Sequence, residues 1–254
     1  MTIHELERKY KITGDFHTHT IYSKVGPYLH AKGTILSNVA AAARIGLREI
    51  AITDHGPFEF YGLSKKKLPK MREEIEAAAR VYPSVKVYLG VEANIMDSPN
   101  GLDVTPDEFK DYDFVNAGYH YGVPKCGMIM NWISFHLFAS PELKEKVTKR
   151  NTELVLRALR KNKIKILTHP GDKAFFDMEA LAKACEETGT LVEINARHKN
   201  PDAEDLKIFA KYNVKFIISS DAHKPNDVGR YRRSLALAFE AGIPASRIVN
   251  IEER

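Results

Sequence analysis

Short runs of apolar and β-branched residues alternate along the chain with longer amphipathic stretches. The short runs have the length and composition of strands, over residues 12–17, 48–54, 85–93, 113–120, 164–169, 190–195 and 214–221. The longer stretches have the spacing of helices with one apolar face, over residues 34–46, 68–82, 140–162, 177–189 and 201–213. Ser140–Pro141 is typical of a helix start, whereas Gly189 and Asn213 are typical of helix ends.

Seven strands that alternate with helices predict an α/β fold with a parallel sheet, because parallel neighbours need a long crossover between them. We expect this sheet to close into a barrel, and a chain of 254 residues is long enough for one. The sequence contains no repeats, no low-complexity tract and no Gly/Ser-rich linker. We therefore expect residues 1–254 to form a single domain.

The least regular part of the sequence is the segment 94–140. Within it, residues 126–140 are apolar and include the only tryptophan, Trp132. We expect residues 126–140 to pack against the core, and the alternatives are a lid or a subunit contact. The loops 56–70 and 94–140 are expected to carry substrate specificity.

The composition adds little to this picture. The formal charge is +5, with 38 Lys and Arg against 33 Asp and Glu, and the dense basic spots are residues 65–67 and 230–233. This thin excess is compatible with a phosphorylated substrate, and it does not form a nucleic-acid track. Cys126 and Cys185 lie far apart and outside any Cys-x-x-Cys pattern, so thiolate metal sites are not expected.

The expected compartment is a reducing cytoplasm, and no membrane partner is expected. The first ten residues lack the apolar stretch of a secretory signal, and no apolar run approaches the roughly 20 residues that cross a bilayer. Rare cysteines agree with this expectation. The oligomeric state is not determined by the sequence.

The histidines are concentrated at the ends of the predicted strands. In a (βα) barrel the carboxyl ends of all strands open on one face, where catalytic groups are found. We therefore expect seven imidazoles and two carboxylates to meet at one rim: His17, His19, His30, His55, Glu92, His120, His169, Asp221 and His223. A single histidine of this kind is more often a hydrogen-bonded structural residue, but the repeated position favours a metal site.

Imidazole and carboxylate ligands without thiolates suit Zn²⁺, and also Mn²⁺ or Fe²⁺. Nine groups are too many for one ion, so two or three ions with a bridging carboxylate are expected. His4 and His136 are expected to be structural or incidental. His198 is expected in a solvated loop, and contact with a substrate is the alternative.

Six motifs between residues 15 and 223 resemble those of the PHP (polymerase and histidinol phosphatase) family, closest to its standalone metal-dependent phosphoesterases. They are "DFHTHT", "TDHG", "GVEAN", "YH", "THPG" and "SDAH". The resemblance implies a distorted, seven-stranded, TIM-like barrel that holds a trinuclear metal centre.

The same resemblance implies a ligand set for each ion. One ion would be held by His17, His19, Glu92 and Asp221, and Glu92 would bridge to a second ion held by His120 and His169. The third ion would be held by His30, His55 and His223. The stretch "SKVGPYLHA" is longer than the usual spacing, and without His30 the third site would lose a ligand. Asp15 and Asp54 are expected to orient an imidazole or to cap a turn.

The implied activity is hydrolysis of a small-molecule phosphomonoester, with histidinol phosphate as one candidate. The attacking group would be a metal-bound hydroxide, with Glu92 and Asp221 as catalytic residues, since the sequence has no nucleophilic Ser or Cys motif. Arg197 is expected either to clamp phosphate or to form an exposed salt bridge. Arg230 is expected to be a helix-face charge.

Two alternatives to a phosphatase remain. One is a PHP-type nuclease or exonuclease acting on DNA, although the chain has no room for a polymerase module. The other is a metal-binding scaffold without chemistry. DNA binding should weaken steeply with salt, and this separates a nuclease from an enzyme for small phosphate esters.

Overall fold

The computed structural model describes residues 2–137 and 140–254. In chain order its strands are β1 (Tyr10–Ile12), β2 (Gly14–Asp15), β3 (Lys24–Val25), β4 (Tyr28–Leu29), β5 (Glu49–Ile52), β6 (Lys86–Asn94), β7 (Phe114–Gly118), β8 (Ile164–Leu167), β9 (Leu191–Asn195), β10 (Phe216–Ser219) and β11 (Ile251–Glu253). Its helices are α1 (Ile3–Lys9), α2 (Ile35–Arg44), α3 (Leu68–Val81), α4 (Met128–His136), α5 (Pro141–Lys161), α6 (Met178–Thr188), α7 (Ala203–Ala210) and α8 (Arg232–Glu240).

Seven strands form one parallel sheet in the order β10-β9-β8-β7-β6-β5-β2. The two edges meet just beyond the ends of β2 and β10, where Thr18 and Ala222 form a parallel bridge. There the backbone N–H of His19 donates to the carbonyl of Ala222 at 2.9 Å. The sheet is therefore nearly closed, and the prediction of a distorted seven-stranded α/β barrel is confirmed.

The barrel strands are largely apolar because they are buried on both faces. The strand β10 reads Phe-Ile-Ile-Ser and is buried along its whole length, which is typical of parallel strands covered by helices. Phe16, Ala51, Ile166 and Ile217 form a separate buried cluster. The larger cluster joins the strands to the surrounding helices.

The helix ends agree largely with the sequence signals. The Ser140 hydroxyl caps α5 by accepting from the Leu143 N–H at 3.3 Å, with Pro141 as the first residue of the helix. Gly189 ends α6 with a φ of 70°, a conformation that a residue without a side chain adopts at little cost. In contrast, α7 ends at Ala210, before the predicted terminator Asn213.

Some elements lie outside the predicted alternation. The strands β1 and β11 pair in antiparallel fashion, and β3 and β4 form a short hairpin between the first motif and His30. Both features involve strands of two or three residues, which are too short to leave a periodic pattern.

The expectation that residues 126–140 pack against the core is wrong for α4. Ile129 is 69% exposed and Trp132 is 47% exposed. The buried positions of α4 are the polar residues Asn131 and Ser134, and the Asn131 amide exchanges hydrogen bonds with Asn151 of α5 at 3.1 and 2.6 Å. The helix therefore docks through polar groups and leaves apolar ones outside. Phe138 and Ala139 of this segment lie outside the described residues.

Across residues 2–137 and 140–254, none of the helices is both long enough and apolar enough to span a bilayer.

Candidate metal centre

The groups predicted at the strand ends come together at one end of the barrel. Glu92 lies near the end of β6, His30 follows the β3–β4 hairpin, and the other groups follow parallel strands. All except the half-buried His30 are buried: His17, His19, His55, Glu92, His120, His169, Asp221 and His223. Parallel strands make this possible because their carboxyl ends lie on the same side of the sheet.

The first motif supplies two imidazoles that meet edge to edge. His17 and His19 lie two residues apart, and their Nε2 atoms are separated by 3.1 Å. His19 Nε2 lies 3.2 Å from Oδ1 of Asp221, which comes from the opposite edge of the sheet. The bridge between Thr18 and Ala222 holds these two segments together.

Glu92 lies at the centre of the imidazoles. Its Oε1 atom is 2.9 Å from Nε2 of His169 and 3.5 Å from Nε2 of His120. Its Oε2 atom is 3.1 Å from Nδ1 of His55 and 3.2 Å from Nε2 of His17. The two oxygens thus face different histidines, an arrangement that suits a bridge between two ions.

Five sets of three ligand atoms are close enough to share an ion, with all atoms of a set within 4.8 Å of one another. The sets are His17–His19–Asp221, His17–Glu92–His169, His55–Glu92–His120, His19–His55–His223 and His169–His198–Asp221. Because six residues each belong to two sets, the sets describe one continuous cluster.

Several atoms in this cluster are buried and lack a hydrogen-bond partner. They are Nδ1 of His19, both ring nitrogens of His55, Oε2 of Glu92, Nδ1 of His169, Oδ1 of Asp221 and Nε2 of His223. A buried polar atom without a partner costs about 1–3 kcal/mol, so such a concentration is unfavourable without a ligand. Divalent cations satisfy imidazole nitrogens and carboxylate oxygens, and the donor set therefore fits metal ions.

The charges within the cluster are strongly coupled. Burial opposes ionisation of Glu92, but the imidazoles of His17 and His120 outweigh burial and hold the pKa of Glu92 well below its usual value. Burial and the neighbouring His55 lower the pKa of His19 to about 3, and burial and His19 lower the pKa of His223 to about 3. These neutral imidazoles have free lone pairs at neutral pH.

His30 reaches the edge of the cluster although its loop is long. The hairpin of β3 and β4 takes up the extra residues, and the His30 N–H donates to the carbonyl of Ser23 at 3.0 Å. The ring of His30 lies 4.6 Å from that of His223 and 5.4 Å from that of His55. It also stacks on Tyr61 at 3.7 Å, with 9° between the ring planes.

Glu193, a carboxylate that was not predicted from the sequence, forms hydrogen bonds with two segments that carry candidate ligands. Oε1 of Glu193, in β9, is 2.8 Å from Nδ1 of His17. Its Oε2 accepts from the backbone N–H of His169 at 2.8 Å and from the Asn195 amide at 2.9 Å. The available signal was a glutamate in an otherwise apolar buried strand, "TLVEIN".

His120 is oriented by a second chain of hydrogen bonds. Its Nδ1 lies 2.7 Å from Oδ1 of Asn94, and the Asn94 amide donates to Asp103 at 2.6 Å. Asp103 also accepts from the backbone N–H of Phe58, at 3.1 Å, in the loop after His55. The loops after β5 and β6 are therefore tied to the orientation of one imidazole.

Asp15 and Asp54 bind backbone and hydroxyl groups rather than imidazoles. Asp54 accepts from the N–H and hydroxyl of Thr20 at 2.8 and 2.6 Å. Asp15 accepts from the backbone N–H groups of Ser220 and Gly229 at 3.1 and 2.8 Å. Both carboxylates thus cap turns in the segments that follow β2 and β10.

The expectation that His198 lies in a solvated loop is wrong. Its Nε2 is 3.0 Å from Oδ2 of Asp221 and its Nδ1 is 3.2 Å from Oδ2 of Asp172. Burial opposes a charge on the ring, but hydrogen bonding to Asp172 and Asp221 prevails and raises the pKa of His198 to about 9. Only the path of the chain after β9 brings His198 close to Asp172 and Asp221, and no sequence pattern indicates this contact.

Two cations line the cavity over the cluster. The cavity has a volume of about 60 Å³, and its wall includes Tyr61, Lys173 and Arg197. Nη1 of Arg197 contacts Nδ1 of His223 and lies 3.8 Å from Oδ1 of Asp221. Lys173 was not predicted as a site residue from the sequence.

The remaining sequence candidates lie elsewhere. Arg230 lies before the start of α8, so the expectation of a helix-face charge is wrong; its side chain is 64% exposed and lies 2.7 Å from Asp227. His4 is paired with Glu7 at 3.7 Å, and Nε2 of His136 is 3.4 Å from the hydroxyl of Tyr121. Neither histidine belongs to the sets of ligand atoms formed by the described residues.

Comparison with known sequences gives a family. The sequence pattern of the PHP domain matches residues 15–220. A probable phosphatase of Acetivibrio thermocellus is 29% identical over 250 residues, which cover 94% of this chain and 91% of the relative. A probable phosphatase of a Thermoanaerobacter species is 31% identical over 257 residues, which cover 95% of this chain and 91% of the relative.

Comparison with solved structures gives the same fold. A putative histidinol phosphatase from Listeria monocytogenes superimposes with a TM-score of 0.64 at 16% identity, covering 87% of this chain and 99% of that one. Histidinol phosphate phosphatase from Lactococcus lactis, solved with zinc, L-histidinol and phosphate, gives a TM-score of 0.57 at 15% identity, covering 90% and 92%. At such low identity these likenesses concern the fold alone.

Proposed function

Since the chain belongs to the PHP-domain family, we propose that it is a metal-dependent phosphatase that hydrolyses a small phosphomonoester at a centre of three ions. The observation that carries this proposal is the position of Glu92, whose two oxygens face different imidazoles in a cluster of buried atoms without hydrogen-bond partners. The names of the relatives support the phosphatase activity.

We assign the ligands as the family resemblance implies, and the distances from Glu92 to His120 and His169 support this assignment. His17, His19, Glu92 and Asp221 would hold the first ion, and Glu92 with His120 and His169 would hold the second. His55 and His223 would hold the third, together with His30, whose ring lies near both. His198 lies within reach of the first two groups through Asp221 and His169.

Zn²⁺ is the ion we propose, since nitrogen and oxygen ligands without thiolates suit it, and Mn²⁺ and Fe²⁺ are the alternatives. Bound divalent ions would supply Lewis acidity, which activates water and offsets negative charge on phosphate oxygens. Glu193 would keep His17 in the tautomer with its proton on Nδ1, which leaves the Nε2 lone pair for the ion. Asn94 would do the same for His120.

The phosphate would be bound between Arg197 and Lys173. Both side chains line the cavity over the cluster, and both carry positive charge. The planar guanidinium of Arg197 suits two oxygens of a phosphate, whereas the ammonium of Lys173 acts as a point charge. The small cavity, about 60 Å³, supports a compact phosphoryl group rather than a polymer as the ligand.

The test is a phosphatase screen against p-nitrophenyl phosphate and a broad set of metabolites, histidinol phosphate included, with each metal added back to stripped protein. Metal-dependent release of phosphate from small esters is the expected result. Single-stranded DNA is assayed in parallel at several salt concentrations. Cleavage of DNA alone, with binding that weakens steeply as salt rises, would replace the phosphatase by a nuclease.

A further inference from the structure

A second cavity lies at the opposite end of the barrel from the histidine cluster. Its volume is about 670 Å³, and its wall includes Phe114, Ile164 and Leu191, which begin β7, β8 and β9. The candidate metal ligands follow the carboxyl ends of the strands, and none of them lines this cavity. The cavity is therefore a separate place in the fold, which the proposed phosphatase reaction does not use.

A β-bulge directs Lys165 towards this end of the barrel. Between β7 and β8, Val115 faces Ile164 and Asn116 faces Ile166, so Lys165 has no partner across the ladder. Bulges of this kind change the direction of a side chain. The Lys165 ammonium lies 4.2 Å from the ring centre of Phe114 and 4.6 Å from that of Phe16. It is also 5.5 Å from the ring of Tyr88.

The Lys165 ammonium carries a positive charge and has no carboxylate partner among the described residues. The acidic groups that act on it are Glu49 and Asp113, and neither is within 4.0 Å. Asp113 is already bound by Arg72 at 2.9 Å, and Glu49 accepts from the Tyr88 hydroxyl at 2.6 Å. Burial lowers the pKa of Lys165, as expected for a cation that has lost water without gaining an anion.

Two further lysines on the cavity wall also lack a carboxylate partner. Lys163 and Lys215 have exposed side chains, and in the described part of the chain neither has a carboxylate within 4.0 Å. Asp113 also lines the cavity, but its carboxylate is paired with Arg72, and the rest of the wall is largely apolar and aromatic. A wall with three ammonium groups and a flat apolar face is complementary to an anion carried on an apolar body.

We propose that this cavity binds a small carboxylate with an apolar, ring-sized body. The carboxylate would pair with Lys165 and Lys215, and the ring would pack against Phe114 and Leu191. The volume of about 670 Å³ is within the range of small-molecule sites. A few convergent polar groups in a largely apolar pocket are also typical of such sites.

Benzoate is the probe for this site, with benzamide as the neutral control of the same shape. Titration of the metal-loaded protein is followed by ¹H–¹⁵N correlation spectra, which locate binding along the chain. We expect saturable shifts at residues 113–115, 163–165 and 189–191, and no saturation with benzamide. Removing one charged partner should weaken binding at least about tenfold, so K165M should bind benzoate at least that much less tightly.

K66M is the matched control, because Lys66 is exposed and does not line the cavity, so its loss should leave benzoate binding unchanged. K215M is the second test if K165M folds poorly, since Lys215 is exposed and its loss should weaken binding several-fold. Three results would overturn the proposal: no saturation by 50 mM benzoate, shifts confined to residues around Arg197 and His223, or equal affinity in the wild type and both variants. Equal affinity would mean that Lys165 only closes the end of the barrel.

Discussion

Replacing Glu193 by glutamine tests whether the carboxylate beneath His17 supports the metal centre. Glu193 is fully buried, and its oxygens lie 2.8 Å from His17 Nδ1 and 2.8 Å from the backbone nitrogen of His169. The glutamine has nearly the same shape, but it removes the negative charge and keeps one acceptor oxygen for three donors, which are His17, His169 and Asn195. Loss of such an outer partner weakens metal affinity about 10- to 100-fold, or roughly 1.4–2.7 kcal/mol.

The assay is competition with a chelator of known affinity, followed by kcat/KM for p-nitrophenyl phosphate at saturating metal. E49Q is the control, because Glu49 also lies in a barrel strand but accepts from Tyr88 at 2.6 Å instead of an imidazole. We expect E193Q to lose affinity by the stated factor and E49Q to change it less than about twofold. A folded E193Q protein with the metal affinity of the wild type would refute the role assigned to Glu193.

Three further predictions concern Glu92, Arg197 and Glu59, a buried carboxyl in the loop after His55. E92Q should lower metal affinity and activity by more than the roughly 100-fold loss expected from removing an outer hydrogen-bond partner. Retained activity would move the bridge elsewhere. R197A should raise KM for a phosphate ester about tenfold or more while metal content stays constant; an unchanged KM would remove Arg197 from the phosphate site. Burial raises the pKa of Glu59 from 4.5 to about 7, so the protonated carboxyl contributes about 3 kcal/mol to the stability of the metal-free protein, and this contribution is lost as pH rises from about 4.5 to 7. Urea unfolding of E59Q, which has no such proton to release, should lack this loss, and parallel pH curves for the two proteins would contradict it.

The position of the candidate ligands was predictable because it follows from strand order alone. Once His17, His55, His120 and His169 are placed at the ends of successive parallel strands, the barrel brings them to the same face. No pairwise contact has to be known for this step. The amphipathic helices were predictable for a similar reason, because their apolar spacing is local.

Contacts between distant segments were not predictable in the same way. The pairing of Glu193 with His17 depends on the closing of the barrel between its edges, and the contact of His198 with Asp221 depends on the path of one loop. The burial of α4 was misjudged because Asn131 docks on Asn151 through amide hydrogen bonds, which an apolar count does not reveal. The hairpin before His30 is built from strands of two residues, too short to show a period.

Elemental analysis of the protein purified without added metal shows directly whether these histidines and carboxylates hold a cluster of metal ions. We predict more than one equivalent of transition metal per chain, rising towards three after incubation with Zn²⁺. The same analysis of the H17A/H19A double variant should give a clear loss of bound metal. Clearly less than one equivalent in the folded wild-type protein, before and after incubation, would contradict the metal centre and with it the proposed reaction.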